Sequence, residues 1–161
     1  MIIKTGIKKV ENYLGIYALK NIIKGEIIFS INGKIVALPS KYSITTGKII
    51  HVEPFSKNTQ DSTSSWQFLN HSCSPNSFID TETSALIALK NIAAGDEICF
   101  NYNTTEYEMA SPFQCKCVSE KCYGEIKGFK YLSEQDQKML YPQAAPHIQL
   151  MSLNKKKDLV Q

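Results

Sequence analysis

In the run Trp66-Gln67-Phe68-Leu69-Asn70-His71-Ser72-Cys73-Ser74-Pro75-Asn76, an apolar approach leads into an amide, an imidazole, a hydroxyl and a thiol, before Pro75 stops the local structure. Such a cluster can bind a polar ligand, ligate a metal, or only close a turn in which Asn70 and Ser72 bond their own backbone. A second chemical cluster is Cys115-Lys116-Cys117-Val118-Ser119-Glu120-Lys121-Cys122. Three thiolates in a C-x-C-x4-C array can hold one ion, but a closed structural zinc site needs a fourth ligand. Cys73, Cys99 and the histidines are available. Cys73 sits in a polar turn rather than an apolar strand, so the expected site is one Zn2+ on Cys73, Cys115, Cys117 and Cys122, tying the tail to the central run. Four thiolates leave no open position, so this metal is a staple and chemistry belongs elsewhere, beside it.

The elements that must position these groups are mostly strands. Residues 2–35 read as short strands, and Asn32-Gly33 gives a hairpin signal with Ile35-Val36-Ala37 returning. Between Leu38 and Ser65 the pattern weakens to a short strand around Lys48-Ile49-Ile50-His51-Val52, in which His51 is an ordinary strand residue, and then a mobile polar loop. Ser84-Ala85-Leu86-Ile87-Ala88-Leu89 and Glu97-Ile98-Cys99-Phe100-Asn101-Tyr102 read as strands around a turn at 90–96. Ile22-Ile23-Lys24-Gly25-Glu26-Ile27-Ile28-Phe29 echoes the second of these turns with its strand, as one device used twice. Alternation puts Phe100 and Tyr102 on one face, roughly 6 to 7 Å apart, and makes Cys99 a buried core thiol on the other. Ser133 caps a helix over 134–140 that Pro142 ends, and a second helix starts near Pro146 and runs to Lys155-Lys156-Lys157, a solvated end.

A chain of 161 residues with 43% hydrophobic and 20% charged residues suits one soluble domain with attachments, and no apolar run approaches the roughly 18 residues of a membrane span. No membrane association is expected. Residues 1–9 lack the apolar core of a signal peptide, so a reducing compartment, cytoplasmic or nuclear, is expected, with delivery to another cell by a non-classical route left open. A net charge of +3 without a single Arg argues against direct nucleic-acid binding, because bidentate guanidinium contacts cannot form. A source genome poor in Arg codons is the simpler cause of that composition.

Taken in order, Phe68-Leu69-Asn70-His71-Ser72-Cys73-Ser74-Pro75-Asn76, then Gly95-Asp96-Glu97-Ile98-Cys99-Phe100-Asn101-Tyr102, then the C-x-C-x4-C array resemble the SET-domain protein lysine methyltransferases with a post-SET zinc motif, across about residues 10 to 130. The resemblance implies a mainly β fold of small sheets around a pseudoknot, in which residues 70–73 pass under a loop following Tyr102. It implies a SET domain over residues 1–110, a zinc-binding post-SET segment over 111–130 and a helical extension over 131–161. It implies S-adenosylmethionine as cofactor, leaving as S-adenosylhomocysteine, with Gly15, Ile16, Tyr17, Asn70, His71 and Tyr102 at the cofactor. It places Tyr102 at the methyl-transfer centre and makes Phe100 the residue that influences how many methyl groups are added. The substrate implied is a protein or peptide lysine, histone tails among the candidates. Tyr107 is a candidate for the lysine channel or for knot packing, and Ile126 and Phe129 for a lid over the site or for packing the C-terminal helix.

The chain departs from the family pattern in three places. Tyr13-Leu14-Gly15 keeps one glycine of a usual G-x-G, Gln67 stands where Arg is frequent, and Ile31-Asn32-Gly33-Lys34 replaces Tyr-x-Gly-Glu. Methyl transfer to an amine needs an in-line, uncharged nucleophile, and a free lysine with pKa about 10.4 is mostly protonated at neutral pH. Burying its stem in an apolar channel favours the neutral amine, and a tyrosine hydroxyl with carbonyl oxygens can orient it. Phe100, without a hydroxyl, implies capacity for di- or trimethylation. Two rivals are a non-catalytic SET-like module that binds a protein tail and a zinc-stabilised interaction domain. Cofactor binding separates both from the enzyme.

Overall fold

A computed structural model describes residues 4–59 and 61–158 of the chain. Ile2 and Ile3, read as part of the strand-rich start, and the side chains of Lys155, Lys156 and Lys157 lie outside the described residues. The strands form four small sheets. β1 (Thr5–Val10), β2 (Tyr13–Ala18), β10 (Glu97–Phe100) and β7 (Asn70–His71) make one; β3 (Ile27–Ser30), β9 (Ala85–Ala88) and β8 (Ser77–Asp80) make a second. β4 (Lys34–Val36), β6 (Ile50–Glu53) and β5 (Ile44–Gly47) make a third, and β11 (Phe113–Gln114) pairs with β12 (Glu125–Ile126).

The echoed turns are one structural device, as expected. Gly25 and Gly95 both adopt positive φ, +83° and +95°, which costs glycine nothing. Ile22 and Ile92 bridge one another, the Gly25 amide donates to Ala88 O at 2.8 Å, and the Gly95 amide donates to Ala18 O at 2.8 Å. Even the flanking asparagines reciprocate, Asn21 accepting from the Ala94 amide and Asn91 from the Lys24 amide, each at 2.9 Å. Ile16, Ile22, Leu86, Ile92 and Ile98, all at most 1% exposed, gather around this pair with Trp66. Each side chain so buried contributes about 1.5–3 kcal/mol, and together they fix the platform on which β7 and β10 lie.

The Asn32-Gly33 hairpin does not form. β3 pairs with β9, whereas β4 pairs with β6, so the dipeptide is the crossing from one sheet to another. Glycine is needed at 33 because a Cβ there would run into the Glu53 carbonyl oxygen, a close approach rather than a left-handed turn. The polar stretch expected as a mobile loop contains a 3-10 segment, Ser62–Phe68, capped by the Asp61 side chain on the Thr63 amide and pinned by buried Trp66, whose Nε1–H donates to Asn32 O at 2.8 Å.

The C-terminal elements stand where the sequence places them. α1 (Glu134–Leu140) starts on the Ser133 hydroxyl, which accepts from the Asp136 amide at 3.1 Å, and α2 (Pro146–Asp158) follows. Phe129, Leu140, Ala144 and Ile148 form a second core, and α2 is tied back to the β body by the Ala145 amide on Thr104 O at 2.7 Å. Among the described residues, no helix is long and apolar enough to cross a membrane.

Candidate functional site

The site grows from the parallel pairing of β7 with β10, which sets Asn70 against Cys99 and His71 against Phe100. The Ser72 amide extends that ladder to Phe100 O at 3.0 Å. β10 ends at Phe100, and Tyr102 opens a 3-10 turn, Tyr102–Thr104, capped by the Asn101 side chain. Asn101 is still extended (φ −89°, ψ 111°), so the alternation carries past the strand end and Phe100 and Tyr102 share one side as expected, their ring centroids 4.8 Å apart. Cys99 is half-buried rather than a core thiol, because its strand pairs with the short β7 at the sheet edge.

Tyr102 is held at both ends. Its hydroxyl donates to Leu69 O at 2.6 Å, and its ring meets His71 and Phe113 edge-on at 5.3 and 5.9 Å. Burial, with the charges of Cys99 and Glu97 adding to it, pushes its phenol well above the ordinary tyrosine value, so the group stays protonated. Its backbone N–H donates to His71 Nδ1 at 3.1 Å. A backbone amide can only donate, so Nδ1 is the accepting nitrogen and Nε2 carries the hydrogen, pointing at Cys73 Sγ 3.3 Å away. Burial lowers His71 to about 4, which keeps the ring neutral in that tautomer.

Beyond His71 lies the sulfur cluster. Sγ atoms of Cys73, Cys115, Cys117 and Cys122 all lie within 4.8 Å of one another, with Cys73 3.8 Å from Cys115 and 4.0 Å from Cys122. Tetrahedral thiolates about 2.3 Å from one ion sit roughly 3.8 Å apart, so the cluster has the dimensions of a four-sulfur metal site. Cys99 stands outside it and the described chain has no disulfide.

A cavity of about 800 Å³ opens on the other side of Tyr102. Its wall includes Tyr13, Leu14, Asn70, Phe100, Tyr102, Glu106 and Phe113. The Asn70 amide nitrogen donates to Leu14 O at 2.9 Å and Glu97 Oε1 at 2.7 Å, joining the N-terminal sheet to the central run. Of the residues set at the cofactor by resemblance, Asn70 and Tyr102 line the cavity, and Gly15, Ile16, Tyr17 and His71 do not. Ile16 is 1% exposed, and a Cβ on Gly15 would run into Glu97 Oε1, so Gly15 makes room for the carboxylate that holds Asn70.

Sequence reasoning missed the place of two contributors. Phe113 reaches both Tyr102 and His71, but a phenylalanine before a cysteine array carries no signal of its own. Glu106 lines the cavity and accepts from the Thr45 amide at 2.9 Å and from the Thr45 hydroxyl at 2.6 Å, a partner on a distant strand. Conversely, Tyr107 and Phe129 pack the C-terminal core, and Ile126, 0% exposed, pairs with Phe113 rather than lining the cavity.

The family model of the SET domain matches residues 13–103. A protein named methyltransferase flvH, of Aspergillus flavus, is 32% identical over 121 residues, covering 66% of this chain and 67% of that protein. Histone-lysine N-methyltransferases specific for H3 lysine-36 are also similar. That of Chaetomium globosum is 38% identical over 68 residues, 38% of this chain and 8% of that protein, and that of Saccharomyces cerevisiae is 34% identical over 83 residues, 48% and 11%. Among solved structures, KRYPTONITE in complex with mCHH DNA, H3(1-15) peptide and SAH has the same fold, with a TM-score of 0.58 at 16% identity over 78% of this chain and 30% of that one. A second KRYPTONITE structure, with mCHG DNA and SAH, gives 0.57 at 18% identity over 73% and 27%. A family match over more than half of the chain, together with the fold and the order of motifs, shows that the chain belongs to the SET-domain family of protein lysine methyltransferases.

Proposed function

We propose that the protein transfers methyl groups from S-adenosylmethionine to a lysine side chain of a protein substrate, and that it can add more than one. The observation that carries this reading is the cavity itself, in which a neutral, fixed tyrosine, an alanine-to-phenylalanine stretch over 110–113 and the Asn70 wall converge. Its size falls within the range of small-molecule sites, and its lining of aromatic residues with Asn12, Gln67 and Asn70 suits a nucleoside with a polar tail. The cofactor, when bound, supplies the methyl group on a sulfonium. Asn70 and the Tyr13-Leu14 segment, which line the cavity, are the groups best placed to hold it.

The chain's own residues do the rest. Tyr102 spends its hydrogen on Leu69 O, leaving the phenol oxygen's lone pairs to orient the substrate amine. Phe100, 4% exposed, closes one side without a hydroxyl that would hold a partly methylated amine in one pose. The four sulfurs fit Zn2+, with Cys73, Cys115, Cys117 and Cys122 as thiolates and the His71 Nε2–H as a hydrogen bond that orients one of them. The catalytic unit is then 1–110, closed by the zinc segment 111–130 and braced by the helices of 131–161, working in a reducing compartment such as cytoplasm or nucleus. Histones are the first substrates to try, on the strength of the relatives' names.

Calorimetry with S-adenosylmethionine, followed by a radiolabelled-methyl assay on histones and whole-cell extract with the modified lysine identified, tests this reading. Binding with transfer is expected. Tyr102→Phe keeps the fold and cofactor binding while transfer falls on the order of 100-fold, and near-normal turnover in that variant would falsify the role given to the hydroxyl. Phe100→Tyr shifts the products toward monomethyl-lysine.

A further inference from the structure

Glu106 is the only carboxylate among the described residues that line the cavity, and its backbone amide donates to Tyr102 O at 3.0 Å. Its side chain is bound to the third sheet. Oε1 accepts from the Thr45 amide at 2.9 Å and lies 3.3 Å from the Thr105 hydroxyl, while Oε2 accepts from the Thr45 hydroxyl at 2.6 Å. The same Thr45 oxygen lies 2.9 Å from Nδ1 of His51, and both Thr45 and His51 are 7% exposed. One carboxylate on the cavity wall is thus joined through one hydroxyl to one buried imidazole.

Whether the hydrogens along this line close is set by the His51 tautomer: an Nδ1–H would donate to Thr45 Oγ1 and complete it. With Glu106 ionised and the His51 Nδ1 bare, two acceptors flank a hydroxyl that owns a single hydrogen. One added proton completes it: a Glu106 O–H donates to Thr45 Oγ1, and the Thr45 O–H turns to His51 Nδ1. Resting on the lysine methyltransferase reading, we propose that Glu106 is the acceptor of the proton that the substrate's ammonium must lose, with Thr45 and His51 as the hydrogen-bonded line that reorients to hold it there. The Nζ–H bond breaks with its electron pair kept by nitrogen, and an O–H bond forms on Glu106, leaving the pair free for methyl transfer.

The rest of the cavity wall offers no competing base. Tyr102 remains a phenol and donates to Leu69 O, Asn70 and Gln67 are amides, and Lys41 is a cation of the same kind as the substrate. The titratable groups around Glu106 are His51 on β6, His147 on α2, which donates from Nε2 to Thr105 O at 3.1 Å, Tyr102 on its own turn, and Tyr42 and Lys41 on the cavity wall. Burial raises the Glu106 carboxyl above the ordinary glutamate value, with the bonds from Thr45 and Thr105 pulling it partly back, so its basicity is greater than that of a surface carboxylate.

The test is the pH–rate profile of wild type, Glu106→Gln and Thr45→Val on one lysine peptide, with 15N spectra of His51 in the unmodified protein. Glu106→Gln is expected to lose about 100-fold in kcat near pH 7 and to recover toward pH 10, where the substrate lysine sheds its proton to solvent. Thr45→Val shows the same shape with a smaller loss, and His51 appears as the neutral Nε2–H tautomer with Nδ1 bare. A Glu106→Gln profile parallel to wild type at every pH overturns the proposal and leaves only a structural strut. So does an Nδ1–H tautomer, in which the donor line is already complete. A wild type that transfers no methyl group in the same assay overturns the functional reading, and this inference with it.

Discussion

Two histidines approach Tyr102 along hydrogen-bonded lines, and in the proposed arrangement they differ in one hydrogen. On the side of the sulfur cluster, the Tyr102 amide donates to His71 Nδ1 and the His71 Nε2–H points at Cys73 Sγ, so every donor has an acceptor and every ring nitrogen a single role. On the cavity side, His51 reaches Tyr102 through Thr45 and Glu106, and in the proposed line, with Nδ1 bare, the hydroxyl in the middle has two acceptors to serve. The same residue type therefore plays a clamp in one line and leaves room for a proton in the other. A saturated line resists change, because breaking any bond leaves a buried group unpaired at about 1–3 kcal/mol.

The largest expected effect comes from cutting the saturated line at its far end. Cys73→Ser removes both a sulfur of the cluster and the Sγ facing the His71 Nε2–H, and chelation removes whatever ion the four sulfurs hold. Loss of a structural metal belongs to the rare class of changes above about 4 kcal/mol, which for a chain of this size lowers Tm by roughly 8–16 °C. Turnover should fall along with zinc content measured on the same samples, because the clamp on the Tyr102 amide loosens too. A metal-free protein with full turnover would show that the cluster is only a staple for the tail.

Next comes the clamp itself. His71→Phe keeps a ring against Phe113 and Tyr102, whose centroids lie 5.8 and 5.3 Å from it, but strands the Tyr102 N–H. About 1–3 kcal/mol of stability should go, with zinc retained and kcat reduced more than KM. If KM for the cofactor rises and kcat holds, His71 faces the cofactor rather than the turn.

What the sequence could reveal follows from where each signal is stored. The repeated Ile-x-x-Gly-acid device, the Ser133 cap and the cysteine spacing are local patterns, and each corresponds to a local structure: the Gly25 and Gly95 turns, α1 and the sulfur cluster. Cys73 is distant in sequence, yet its polar turn distinguished it from Cys99. Asn32-Gly33 misled because the local hairpin preference was overridden by pairing of β4 with β6 and the close passage of the Glu53 carbonyl. Thr45, His51 and Glu106 were invisible as a set, since each lies in an unremarkable segment and only the packing of the third sheet against the Tyr102 turn unites them. Asp61 before a run of serines and threonine was a readable cap that went unread, because no apolar period followed it.

The smallest effect concerns the third histidine and sharpens the contrast by acid titration. Burial is the largest cause lowering His147, its bond to Thr105 O pulls the other way, and the nearby His51 lowers it further; burial lowers His51 as well. A histidine whose value is depressed on folding stays neutral in the native protein while the unfolded chain takes up protons, so stability is complete above the ordinary value of about 6.5 and is lost as pH falls below it. Glu106 works with the opposite sign: its carboxyl is raised, so acid favours its folded form and offsets part of that loss. His147→Gln retains an N–H for Thr105 O and removes the titration, and Nδ1 of His147, buried without a partner, leaves with it. Urea midpoints at pH 7.5 and 5.5 should therefore drop less in His147→Gln than in wild type. Equal drops would mean that the acid sensitivity resides in His51 and His71, the two histidines on the lines to Tyr102.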